Sequence, residues 1–114
     1  MPLSANVSTA LVTGASQGIG LAIASALRKR GVRVIMVARS QDKLERAAGQ
    51  TGGVPYAADL ASALHVGRLK DFVGSEFGGA PDILINAAGA FALAPVAETS
   101  METFDQLLDR KSVV

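Results

Sequence analysis

A glycine-rich turn between an apolar strand and a helix is the feature that most limits how this chain can fold. The turn has the sequence TGASQGIG over residues 13–20, follows the apolar run 10–13 and leads into a helix-type segment. The start of a helix presents unpaired N–H groups and the positive end of its dipole, which together attract anions. Three glycines, Gly14, Gly18 and Gly20, permit a tight turn, close approach of a pyrophosphate and close packing of helix on strand. The sequence therefore predicts a phosphate-binding turn.

The rest of the chain alternates apolar runs with helix-type segments, which is typical of an α/β protein. Right-handed crossovers between parallel strands then favour an open sheet with strand order 3-2-1-4 and helices on both faces. In the third helix we expect Leu64, Leu69, Phe72, Val73 and Phe77 to share one side. The region around Pro95 is predicted to be a loop. The predicted strands are 10–13, 32–38, 54–58 and 83–86, and the predicted helices are 19–30, 41–48, 61–77 and 99–108.

Composition excludes several classes of function. The net charge is +1, and no basic patch with interleaved aromatic residues appears, so we expect no nucleic-acid partner. The chain has no cysteine and therefore builds neither a disulfide framework nor a cysteine zinc site, and no other metal-ligand pattern is visible. Neither a signal peptide nor a membrane-length apolar run appears, so we expect a cytoplasmic protein with no membrane partner.

Three blocks of sequence, on suitable elements and in order, resemble the short-chain dehydrogenase/reductase family over about residues 7 to 108. The turn at 13–20 matches the family's T-G-x-x-x-G-I-G, and Asp59-Leu60 matches its acidic residue after the third strand. Residues 86–89 (NAAG) match its N-N-A-G block, with Ala87 in place of the second asparagine. The resemblance implies a Rossmann-like, doubly wound parallel sheet. It also implies that the first block binds the cofactor pyrophosphate, the aspartate the adenine amino group, and the third block lies beside the nicotinamide ribose. The cofactor-binding residues implied are Gly14, Ser16, Gln17, Gly18, Ile19, Gly20, Asp59, Leu60, Asn86, Ala87, Ala88 and Gly89.

Arg39 indicates which dinucleotide such a site prefers. At the end of the second strand, an acidic residue selects NAD, and a basic residue accommodates the 2′-phosphate of NADP. Ala38 and Arg39 stand there, and the nearest acid is Asp42. A guanidinium offers several donors to a phosphate. We therefore expect NADP(H) rather than NAD(H), the alternative being that Arg39 is only a solvated arginine.

Other site residues have structural interpretations that the sequence leaves open. Asp59 caps the helix that starts near Ala61, contacts adenine, or does both. Asn86 braces the fourth strand through side-chain hydrogen bonds or contacts the cofactor, and we favour bracing. Ser16 contacts a phosphate or stabilises the turn. His65, the only histidine, is expected to be a surface or boundary residue.

The family's catalytic pair is missing from these 114 residues. That pair is spaced as Y-x-x-x-K, with the tyrosine acting as acid/base toward the substrate oxygen, but the only tyrosine, Tyr56, has Leu60 four positions on. We assign no catalytic residue and expect the chain alone to be inactive. The resemblance implies a parent oxidoreductase, expected to be a homo-oligomer, that moves hydride between nicotinamide and a carbonyl or alcohol, for example a 3-oxoacyl-type reductase. The alternative is a noncatalytic NADP(H)-sensing module.

Two other nucleotide-binding classes fit the sequence less well. A Rossmann-like methyltransferase generally has an acid at the end of the second strand, where Ala38 and Arg39 stand, and does not need the 86–89 block. A P-loop phosphotransferase is excluded because no Lys-Ser/Thr pair follows the glycines.

The last six residues, 109–114 (DRKSVV), depart from the family pattern. They are one translation of GATCGGAAGAGCGTCGTG, the start of a widely used sequencing-library adapter. We therefore expect residues 1–108 to be the N-terminal part of a dinucleotide-binding domain and 109–114 a non-native tail, the alternative being a natural frameshift or early stop. The source nucleotides test this expectation. In such a truncated sheet we also expect the strand 83–86 to be an exposed edge, which makes the chain marginally stable or self-associating.

Overall fold

The computed structural model describes residues 8–87 and 93–95, which form a five-stranded sheet with three helices. The predicted elements that lie within these residues occur in the predicted order, and all their bounds except the end of the second helix agree with prediction to within two residues. The predicted helix at 99–108 and the tail at 109–114 lie outside the described residues. The elements are β1 (Thr9–Thr13), α1 (Gly18–Lys29), β2 (Arg33–Ala38), α2 (Gln41–Thr51), β3 (Val54–Ala57), α3 (Ala63–Phe77), β4 (Ile83–Asn86) and β5 (Leu93–Pro95).

The sheet has the order β3-β2-β1-β4-β5, with β1 to β4 parallel and β5 antiparallel to β4. The predicted α/β fold and the order 3-2-1-4 are therefore confirmed. All five residues of β1 are buried because strands pair on both its sides and helices cover both faces. The order reverses between β1 and β4, so their carboxyl ends form the crevice in which doubly wound sheets bind ligands.

The two faces of the sheet bury separate apolar clusters, and the strands supply them alternately. Along β1, Ala10 and Val12 join α1 and α2 in one cluster, whereas Leu11 points to the other. The second cluster contains Leu69 and Val73 of α3. Because helices cover both faces of the sheet, side chains on both faces of the central strands are buried. These strands therefore have to be apolar at nearly every position, as predicted from the sequence.

Three details differ from the sequence predictions. Leu93–Pro95 is not loop but the strand β5, and it pairs with the edge of β4 that we expected to be exposed. The helix α2 continues through Gly49 to Thr51 and ends at Gly52, whose φ of 84° is the left-handed conformation of a helix C-cap. Leu64 is not on the buried side of α3, since it is 60% exposed.

The amino ends of β1 and β4 are tied together by one carboxylate. Asp82 Oδ2 accepts hydrogen bonds from Ser8 N–H (2.7 Å), Ser8 Oγ (3.1 Å) and Thr9 N–H (3.1 Å). Burial, the largest effect, raises the pKa of Asp82, but these hydrogen bonds together outweigh it and the pKa lies below its ordinary value of 3.8. This contact aligns the two central strands at the end opposite the predicted site.

Candidate functional site

The turn between β1 and α1 presents the start of the helix without a side-chain cap. The N-cap residue, Gln17, has extended backbone and makes no capping hydrogen bond with its side chain, and the first turn contains no acidic residue. Basic residues are at the opposite end, in the last turn. The N–H groups and positive dipole end at residues 18–20 therefore meet neither a capping oxygen nor a neutralising carboxylate, which favours an external anion.

The three glycines have different structural requirements. Gly14 (φ 62°) and Gly18 (φ 60°) both adopt the left-handed conformation. A Cβ on Gly20 would overlap the Gly14 carbonyl group, 2.7 Å from its carbon, so only glycine allows α1 to pack this closely on the turn. A Cβ on Gly18 would meet no atom of the described chain within 4 Å. The space beside Gly18 thus opens outward, where a ligand can approach the backbone.

The turn is anchored to the neighbouring strands rather than to its own side chains. Ala15, which is fully buried, donates its N–H to the carbonyl oxygen of Val37 in β2 at 3.1 Å. Ala87 donates its N–H to the carbonyl oxygen of Thr13 at 3.3 Å. The ends of β2, β1 and β4 therefore position this turn before any ligand binds.

A buried hydroxyl joins the ends of β1 and β4. Thr13 is 1% exposed, and its Oγ1 donates to Asn86 Oδ1 at 2.7 Å. The prediction that Asn86 braces the fourth strand is confirmed. The Asn86 side chain is held at the strand end beside the turn, and its neighbour Ala87 is half-buried.

The ends of β2 and β3 bring together the other predicted residues. Arg39 and Ser40 are exposed after β2, and Ser40 is the N-cap of α2 without a side-chain capping bond. Ala58 donates its N–H to Ala38 O at 3.0 Å, which places Asp59 directly beyond the same strand ends. A cation and a carboxylate thus follow adjacent strands.

The interpretation of Asp59 as the cap of α3 is wrong. Ser62 is the N-cap, and its Oγ accepts the His65 N–H at 3.2 Å. Asp59 Oδ1 instead accepts the Ala61 N–H at 2.9 Å, within the turn before the helix. His65 is exposed as expected, but its Nδ1 accepts the Asp59 N–H at 2.9 Å.

The remaining predicted residues occupy distinct surroundings. Ile19 is 60% exposed at the start of α1. Ser16 is half-buried in the turn, and the half-buried Leu60 side chain packs against the second apolar cluster. Ala88 and Gly89 lie outside the described residues.

Sequence reasoning missed Thr13, Ser62 and His65 as residues that position this region. The threonine belongs to the glycine-turn block, so its place at the end of β1 was a usable signal. Ser62 and His65 have the N-cap and N3 spacing of a capping box but lack the Glu or Gln that makes the pattern recognisable. No sequence pattern indicated that His65 turns back to Asp59.

Other candidate chemistry is absent from the described part of the chain. Tyr56 packs its ring against Phe72, with centroids 4.7 Å apart, and has a structural place on β3. Within residues 8–87 and 93–95, no cluster of three metal-ligating side chains occurs. No helix in these ranges is long and apolar enough to cross a bilayer.

An open, mainly parallel sheet with a glycine turn at the point where the strand order reverses defines a dinucleotide-binding class of fold. The model of the short-chain dehydrogenase family matches residues 8–113. The chain therefore belongs to the short-chain dehydrogenase/reductase family, a family of oxidoreductases that bind NAD(P) and act on small molecules.

Similar proteins of this family differ in substrate and cofactor. The chain is 43% identical over 104 residues to D-threitol dehydrogenase of Mycolicibacterium smegmatis, covering 87% of this chain and 40% of that protein. It is 38% identical over 106 residues to NADPH-dependent pterin aldehyde reductase of Arabidopsis thaliana, covering 89% and 43%. The structure of 3-ketoacyl-(acyl-carrier-protein) reductase from Brucella melitensis complexed with NADH is 34% identical, with a TM-score of 0.64 and coverage of 68% and 32%. The chain thus spans about two fifths of the length of the curated relatives.

Proposed function

We propose that this chain is the cofactor-binding N-terminal part of an NADP(H)-dependent short-chain reductase or dehydrogenase. The observation that carries the proposal is the start of α1, which has no side-chain cap, no acidic residue in its first turn, and open space beside Gly18. The N–H groups at residues 18–20 bind the diphosphate there. The nicotinamide of the bound cofactor supplies or accepts the hydride, and a carbonyl or alcohol is the substrate.

Arg39 selects NADP(H) through the adenosine 2′-phosphate. Its exposed side chain follows β2, and Ser40 adds a hydroxyl that does not cap α2. Both groups lie beyond the same strand end as the start of α2, whose dipole also favours negative charge. Asp42 in the first turn of α2 opposes this preference, so the guanidinium has to outweigh one carboxylate.

Calorimetric titration with NADPH and NADH tests the choice of cofactor. We expect the parent chain to prefer NADPH, and Arg39→Ala to weaken NADPH binding about 10- to 100-fold, the value of one charge-assisted contact, with NADH little changed. Arg68→Ala is the matched control, because it removes an arginine that is also exposed but belongs to α3, which packs on the second apolar cluster. Equal affinities of the parent for both cofactors would refute the selection by Arg39.

The catalytic part of the proposal depends on sequence beyond these 114 residues. Extending the reading frame tests it, since a Y-x-x-x-K pair downstream is expected of a reductase and its absence favours a noncatalytic NADP(H) sensor. Cytoplasmic location and homo-oligomeric assembly stay predictions, as do residues 109–114 as a non-native tail.

A further inference from the structure

His65 lies in the first turn of α3 and its side chain points back to the preceding turn. The Nδ1 atom accepts the backbone N–H of Asp59 at 2.9 Å, six residues earlier. The backbone N–H of His65 is itself held by the Ser62 cap at 3.2 Å. The imidazole is therefore fixed to the helix at one end and to the β3–α3 turn at the other.

This contact completes a set of hydrogen bonds that fixes the position of Asp59. The preceding residue, Ala58, is bonded to β2 through Ala38 O at 3.0 Å. Asp59 then donates its N–H to His65, while its Oδ1 accepts the N–H of Ala61 at 2.9 Å. The backbone and one carboxylate oxygen are constrained, and Oδ2 accepts no hydrogen bond from residues 8–87 and 93–95, so it is the oxygen that an external donor can reach.

The chemistry of the contact requires an acceptor at Nδ1. An N–H group donates to an imidazole nitrogen only when that nitrogen carries no proton, so in this contact the Nδ1 atom of His65 serves as the acceptor. Without this acceptor, the Asp59 N–H would donate to water, and the backbone that carries the Asp59 carboxylate would no longer be held in place. The effect on Asp59 is therefore positional, and His65 need not touch a ligand.

We propose that His65 is a positioning residue that holds the Asp59 carboxylate toward the amino group of adenine, and so sets the preference for adenine over other purines. This inference rests on the proposed function and on the contact between Asp59 and the adenine amino group that the family resemblance implies. A carboxylate accepts a hydrogen bond from the 6-amino group of adenine. Hypoxanthine has a carbonyl oxygen at that position, and a carboxylate repels it.

The ratio of affinities for two cofactors tests the proposal. Calorimetry compares NADPH with its hypoxanthine analogue on the parent chain and on His65→Ala, His65→Asn and Leu64→Ala. We expect the parent to prefer adenine and His65→Ala to reduce that preference about fivefold, which corresponds to one ordinary hydrogen bond. In His65→Asn, the side-chain Oδ1 is bonded to Cγ as the His65 Nδ1 is, so it can accept the same hydrogen bond from Asp59. This variant is therefore expected to retain the preference for adenine. Leu64→Ala, at the exposed neighbouring position, leaves the preference unchanged.

The outcomes separate this inference from the proposed function. A preference for adenine that survives His65→Ala overturns the positioning role and leaves dinucleotide binding intact. An equal loss in His65→Ala and His65→Asn also overturns it, because the acceptor would then not be what matters. A parent that binds both cofactors equally excludes the adenine contact of Asp59, and a parent that binds neither refutes the proposed function as well. A variant that is partly unfolded loses apparent affinity for both cofactors by the same factor. The ratio of the two affinities is then unchanged, so destabilisation alone does not produce the expected loss of preference for adenine.

Discussion

Replacing Gly20 by alanine tests the close packing of α1 on the glycine turn. The added Cβ would overlap the Gly14 carbonyl group and come within 3.2 Å of Ala15 Cα. All three atoms are backbone, so no side chain can rotate away and the helix has to move. Overpacking of this kind costs about 1–3 kcal/mol.

A second glycine provides the matched control. Gly67 is also helical, and a Cβ there would meet no atom of the described chain within 4 Å. Glycine-to-alanine changes within helices otherwise stabilise by roughly 0.5–1 kcal/mol, and this gain applies to both positions. The difference in unfolding free energy between Gly20→Ala and Gly67→Ala therefore isolates the overlap, with an expected value of about 1–3 kcal/mol.

Urea unfolding followed by circular dichroism measures the difference. With m-values of about 1–3 kcal/mol per M for small proteins, the midpoint of Gly20→Ala is expected roughly 1 M below that of Gly67→Ala. NADPH affinity should fall in Gly20→Ala and not in Gly67→Ala, since only the first moves the amides of the turn. Equal midpoints for the two variants would refute the packing argument.

Two further predictions concern contacts between β1 and β4. Asp82→Asn is expected to destabilise the chain at neutral pH. Because the folded pKa of Asp82 is lowered, its charge stabilises the fold fully above the ordinary value of 3.8, and this contribution is lost as pH falls through the folded pKa. Unfolding free energies of parent and variant, measured from about pH 2 to about pH 7, check this prediction. A difference between the two that does not depend on pH would contradict it. Thr13→Val is expected to cost about 1 kcal/mol, because it removes the buried donor to Asn86. A double-mutant cycle with Asn86→Ala measures the coupling, and additive effects would exclude the contact.

The fold follows from sequence to a large extent because its strands are covered on both faces. Runs such as Val34 to Val37 have to be apolar at every position, and this continuous pattern is easily distinguished from the helical period. The order of the strands then follows from the handedness of the crossovers. The three-residue β5 was missed because it is too short for a periodic signal, contains Pro95 and depends on pairing with β4.

The candidate site was predictable where a residue's backbone requirement shows in the sequence. The turn glycines have such requirements, and so does Gly52, which ends α2 three residues beyond the predicted end at residue 48. Side-chain contacts between segments leave no local pattern. The bonds from Thr13 to Asn86 and from Asp59 to His65 join groups whose meeting depends on the completed fold.

Amide NMR of the chain during titration with NADPH tests most directly whether the start of α1 receives the dinucleotide diphosphate. We expect saturable shifts of the N–H resonances of Gly18, Ile19 and Gly20, larger than those of residues in α3. Saturable binding that leaves these three resonances in place, or no binding by the folded chain, would contradict it.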